Sequence, residues 1–198
     1  MQTVELGLGA LDVLSTPGAG RVVAVYQKAA YLRLPAGMMT LTTFEAPSGP
    51  VHVRSTISFD GLEAGDRVTV AGSLLQAGRV LLDLSSASIW RGPVPTPADL
   101  QRGAGLALEL VRRTPASALA QAEVVSAFDD VRDGDILGLT AHLGGAGPGL
   151  TPAGDDCLAG ILFVARVRWG EVAEQMLVDA AVMAQTNDIA RMFLLWAA

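Results

Sequence analysis

Cysteine, lysine, histidine and aromatic rings are all scarce in this sequence, and each scarcity closes off a class of protein. The single cysteine, Cys157, excludes an internal disulfide and any zinc site built on a cysteine cluster, which points to a reducing compartment and predicts a cytoplasmic location. Lys28 is the only lysine; the basic residues are otherwise arginines, with tight pairs only at Arg112 with Arg113 and Arg166 with Arg168, neither interleaved with aromatics. With a net charge of −6, no nucleic-acid partner is expected. Aromatic residues make up 5% and charged residues 17% of the chain, so the core should rest on Leu, Val, Ile and Ala. So little polar material to coat a monomer predicts large subunit-facing surfaces, and hence an oligomer. The longest apolar run, residues 157–165, is far short of the ~20 residues that cross a bilayer, so no membrane span is expected. The opening MQTVELGLGALDVLSTPG has no basic start and no cleavage site, and does not read as a signal peptide. No G-x-S-x-G elbow and no H-E-x-x-H helix occurs, which leaves covalent serine catalysis and zinc hydrolysis without support.

What remains is ample for a core: 198 residues, 51% of them hydrophobic. Between residues 21 and 90 short β-rich segments (RVVAVYQ, AYLRL, MMTLTTF, VHVRSTISF, DRVTVAG, RVLLDLS) alternate with glycine and proline breaks. Six strands at that spacing predict a small antiparallel barrel or sandwich. RGPVPTPAD, residues 91–99, holds three prolines and a glycine and reads as a linker, placing a domain boundary between 1–92 and 93–198. Beyond it the periodicity turns helical. Helices are expected from Pro97, from Thr114-Pro115 through ASALAQAEVVSAF, over residues 133–142, through a mostly buried DDCLAGILFVARVRW, over residues 171–185, and from Asp188 onward. The fold class is therefore α+β, a β-rich part followed by an all-helical part. The end, ARMFLLWAA, has no polar tail, so either a partner covers it or the natural chain continues further.

One connection stands apart. GGAGPGLTPAGDD, residues 144–156, spends five glycines and two prolines on one loop and ends on Asp155 and Asp156. Gly149 and Gly154 have P-loop spacing, but the two aspartates stand where Lys and Ser/Thr are required, and Pro152 breaks the Rossmann pattern; no nucleotide or haem cofactor is expected. Two readings stay open. The segment is a well-capped helix start, with Thr151 or one aspartate as cap. Alternatively its bare backbone and the helix N-terminus behind it cradle a small anion, and the glycine density favours this one. On that reading Gly147, Gly149, Leu150 and Gly154 contact the ligand, and Thr151 donates its hydroxyl. Asp155 and Asp156 then hold Mg²⁺ or accept from an amide, pointing about 100° apart on the helix. His142 is a candidate acid/base group or a helix C-cap. His52 reads as structural, and Cys157 as a buried filler, since preceding aspartates disfavour a thiolate.

The string LGGAGPGLTPAGDDCLAGIL, residues 143–162, resembles the signature of the AllH-like family, subunits of oxamate carbamoyltransferase, with weaker likeness in AVYQKAAYLRL, GPVHVR and LEAGDRVTVAG. Gly147 to Pro152 and Gly154 to Asp156 match that signature, while Ala153 stands where the family usually has Ser. The family tends to continue past a turn resembling residues 185–188 into a further helical segment. The resemblance implies a subunit that moves a carbamoyl group between oxamate and phosphate in purine or allantoin-type nitrogen catabolism, beside a CoA-ligase-like protein and another subunit. A non-catalytic ligand-binding or assembly subunit is the alternative.

Overall fold

The computed structural model describes residues 3–113 and 134–198, so the helix expected from Thr114 and most of the acidic FDDVRDGD stretch lie outside the described residues. The chain divides into two compact units, Met1–Gly92 and Pro93–Ala198.

The first unit is one nine-stranded sheet, curled into a half-barrel. Its strands are β1 (Val4–Gly7), β2 (Gly18–Val25), β3 (Ala29–Leu34), β4 (Gly37–Thr43), β5 (His52–Ser55), β6 (Arg67–Ala71), β7 (Leu74–Ala77), β8 (Val80–Asp83) and β9 (Ser88–Trp90), with a short helix α1 (Leu8–Leu14) after β1. The lateral order is β8-β7-β6-β2-β3-β4-β5-β1-β9. Alternation decides which face is inside: Ala30, Leu32 and Leu34 of β3, Val68 and Val70 of β6, and Leu75 and Ala77 of β7 all enter one core, with Ala10, Val13 and Leu14 of α1 packed among them. The β6–β7 and β7–β8 hairpins turn on two residues each, with Gly72 and Gly78 at φ 58° and 53°, as such tight turns require.

The antiparallel expectation holds for six of the eight ladders; β4–β5 and β1–β9 run parallel. Residues 44–51, rich in proline and glycine, carry the chain back so that His52 starts beside Thr40 and runs the same way. β1, β7 and β9 are not among the segments read as strands from the sequence; their pairing is supplied by neighbouring strands. Arg54 of β5 ties this corner together: its guanidinium donates to Glu5 at 2.8 Å, to the Ser48 hydroxyl at 2.6 Å and to the Phe44 carbonyl at 3.0 Å, and lies over the Phe44 ring. Burial opposes ionisation of Glu5, but the hydrogen bonds from Arg54 and Ser48 outweigh it and hold the carboxyl below its ordinary range.

The second unit is helical among its described residues: α2 (Pro97–Arg113), α3 (Ile136–Leu143), α4 (Ala153–Trp169), a 3₁₀ turn (Gly170–Ala173), α5 (Glu174–Met183) and α6 (Asp188–Ala197). α2 opens on a reciprocal cap, Thr96 N–H to Asp99 Oδ2 at 2.8 Å and Asp99 N–H to Thr96 Oγ1 at 3.2 Å. Asp135 caps α3 through Gly138 N–H at 2.8 Å. Leu139 and Leu143, Leu158 and Leu162, Leu177 with Ala180 and Ala181, and Leu194 make the core. α4 corrects one expectation. It is not mostly buried: a single stripe through Leu158, Leu162 and Ala165 faces the core, while Phe163, Val164 and Trp169 are exposed. At the end of the chain Leu194 is fully buried, leaving Leu195 and Trp196 outside.

Candidate functional site

α3 ends and α4 begins at the glycine loop, residues 144–152, and the short turn 184–187 between α5 and α6 lies against it. Three glycines of the segment 144–156 are required by close approach. A Cβ on Gly145 would meet the Gln185 carbonyl oxygen at 2.3 Å, and one on Gly154 would meet that of Leu143 at 2.2 Å. A Cβ on Gly144 would meet the Thr140 carbonyl oxygen at 2.8 Å. Gly147 and Gly149 are required by dihedral, at φ 110° and 102°, where side chains are strained; around Gly149 there is open space. The loop closes on itself through Gly154 N–H to the Ala146 carbonyl at 2.8 Å.

Asp155 locks this arrangement. It is 2% exposed, and both of its carboxylate oxygens are used: Gly145 N–H donates to Oδ1 at 2.9 Å, and the Thr186 hydroxyl donates to Oδ2 at 2.5 Å. A carboxylate buried with two directed donors is a brace between elements. Asn187 adds a second tie, its Nδ2 donating to the Leu150 carbonyl at 2.9 Å while its Oδ1 accepts from Ile189 and Ala190 N–H at 3.0 Å each, capping α6. Arg191 secures the turn by donating to the carbonyls of Ala184 at 2.7 Å and Thr186 at 3.2 Å.

The capping reading of the sequence fails here. The N-cap position of α4 is Pro152 and no side chain caps it; Thr151 points no hydrogen bond into the helix, and Asp155 reaches back to Gly145 instead of its own first turn. Gly147, Gly149 and Thr151 are exposed, Leu150 is half-buried, and Gly154 is buried beneath the loop. His142 lies exposed on the last turn of α3. Asp156 is exposed too, yet burial of part of its surroundings and then the charge of Asp155 push its carboxyl above the ordinary range. Burial likewise pushes the Cys157 thiol up, which keeps it protonated and inert at neutral pH.

The two aspartates therefore face different surroundings. Asp155 is engaged inside and Asp156 looks outward, and among the described residues no three His, Cys, Asp or Glu side chains gather into a metal-binding group. The sequence reading had no site role for Thr186 and Asn187. The turn at residues 185–188 stands out in the sequence as a family-like turn and as a Thr-Asn-Asp start of an apolar helix, which announces a cap but not the loop it serves.

Residues 143–198, from the last residue of α3 through α6, match the family model described as oxamate carbamoyltransferase subunit AllH. The likeness carried by the loop signature thus extends through α4, α5 and α6. No curated protein and no solved structure gives a significant match. No helix among the described residues is long and apolar enough to cross a membrane.

Proposed function

We propose that this chain is a subunit of a cytoplasmic carbamoyltransferase, and that the exposed arch of its glycine loop binds the small anionic substrate, oxamate or carbamoyl phosphate. The observation that carries this reading is the division of labour at Asp155 and Asp156. One acid is consumed in fixing the loop from beneath, while the residues left outward are those with chemistry for an anion bearing an amide. Backbone N–H groups near Gly147 and Gly149 and the N-terminal end of α4 favour a phosphate or carboxylate. The Thr151 hydroxyl donates to it. Asp156 accepts from the NH₂ of the carbamoyl or oxamate group and thereby orients the carbon that moves between the oxamate nitrogen and a phosphate oxygen. Gly154 lies beneath the arch, Leu150 at its edge, and His142, on the last turn of α3, is the candidate acid/base group. If Mg²⁺ takes part, Asp156 is the residue free to hold it, with Asp155 already committed to its two donors, and the ion would neutralise phosphate charge.

An assembly subunit is favoured by a separate observation. Phe163, Val164, Trp169, Val172, Met183 and Trp196 are exposed apolar side chains of the helical unit, of the kind that other subunits, including a CoA-ligase-like one, would cover. Thermal unfolding separates the two readings. Carbamoyl phosphate or oxamate, with and without Mg²⁺, should stabilise the isolated full chain by about 2.7 kcal/mol at a hundredfold excess over its dissociation constant. No response to any of them supports the assembly role instead.

A further inference from the structure

We infer that Thr186 and Asn187, on the turn between α5 and α6, are the positioning residues of the glycine loop. The inference rests on the proposal that this loop binds the anion. Loop and turn are joined at two points about one loop-length apart: Gly145 N–H and the Thr186 hydroxyl share the Asp155 carboxylate, and Asn187 Nδ2 holds the Leu150 carbonyl. Residues 147–149 are the stretch between these anchors, so the position of the arch is set from the turn, not from α3 or α4 alone. Asn187 couples it to a whole helix, because the same side chain caps α6. Arg191, one helical turn on, braces the carbonyls of the turn itself, so the turn has ties independent of the loop. Thr186 and Asn187 touch no substrate on this account. They act by holding backbone donors at a fixed spacing, where a small displacement is costly to binding and transfer.

Asn187→Asp isolates the effect. Aspartate still accepts from the Ile189 and Ala190 N–H groups and keeps the cap, but it has no donor for Leu150 and sets a charge against a carbonyl oxygen. Thr186→Val removes the hydroxyl at constant shape, and Thr186→Ser restores it. Hydrogen exchange on the full-length chain is expected to show amides of residues 145–151 exchanging about tenfold faster or more in Asn187→Asp and Thr186→Val. The amides of Ile189 and Ala190 should stay protected in Asn187→Asp, and Thr186→Ser should return the loop to wild-type exchange. Calorimetric titration with oxamate or carbamoyl phosphate should show about tenfold weaker binding in Asn187→Asp and Thr186→Val, and recovery in Thr186→Ser. Unchanged loop exchange in both variants overturns the inference, as does faster exchange with wild-type affinity. Absence of titratable binding in the wild type, with the exchange pattern as expected, overturns the anion reading and with it the functional role, while leaving the two residues as loop anchors.

Discussion

Two neighbouring aspartates with one chemistry are given opposite energetic roles by their surroundings. Removing the Asp155 side chain leaves the Gly145 N–H and the Thr186 hydroxyl without their acceptor inside the fold, and Asp155→Ala should cost about 2–4 kcal/mol in chemical denaturation. Asp156→Asn should do the reverse. Its carboxyl is raised above the ordinary range by burial and by Asp155, so its ionised form is disfavoured in the fold and the stability it allows is lost as pH rises through the raised value. At neutral pH the neutral amide should therefore raise the melting temperature, and a fall would contradict that sign. His52 offers a second titration. Burial lowers its pKa despite the bond its Nδ1–H makes to the Pro47 carbonyl at 3.1 Å, so the unfolded chain takes up a proton first as pH falls. The first unit should lose stability on acidification below about pH 6.5, and His52→Gln should flatten that slope. At this scale the sequence showed that residues 144–156 were unusual and that their aspartates differed. It could not show which glycine served close approach and which served dihedral, because Gly145 is required by the Gln185 carbonyl, forty residues away.

Elements were legible where caps, turn formers or a sustained period mark them. α2, α4 and α6 are long enough for caps and period to speak, whereas β1, β7 and β9 are recognisable only by the neighbours they pair with. The parallel β4–β5 ladder was likewise hidden, since direction is decided by where residues 44–51 lead the chain and not by any residue within the strands. Register has a consequence of its own: Arg21 of β2 stands directly opposite Arg67 of β6, like charges across one ladder, both exposed. Arg67→Glu should raise the melting temperature at low ionic strength, with the gain fading in high salt; a gain that persists in salt would point to packing instead. α4 was read as mostly buried because its apolar residues are many. The structure buries one stripe and leaves Phe163 and Val164 outside, a division that composition cannot distinguish.

Across the whole molecule, charge is divided as unevenly as structure. Residues 1–92 carry seven basic and seven acidic side chains, leaving seven and thirteen for residues 93–198, so the net −6 belongs to the half that holds the glycine loop. On the proposed function, an anion would approach a unit of net negative charge, so short-range backbone donors and the N-terminus of α4 would have to hold it. The family match over residues 143–198 is confined to this same half, beginning one residue before the loop. The most direct test is calorimetric titration of oxamate and of carbamoyl phosphate into the full-length chain and its Asp156→Asn variant. Saturable binding of at least one of them by the wild type, weakened about tenfold or more in the variant, is the predicted result. Equal binding by both proteins, or none by the wild type, would contradict the assignment of the arch and Asp156 as the substrate site.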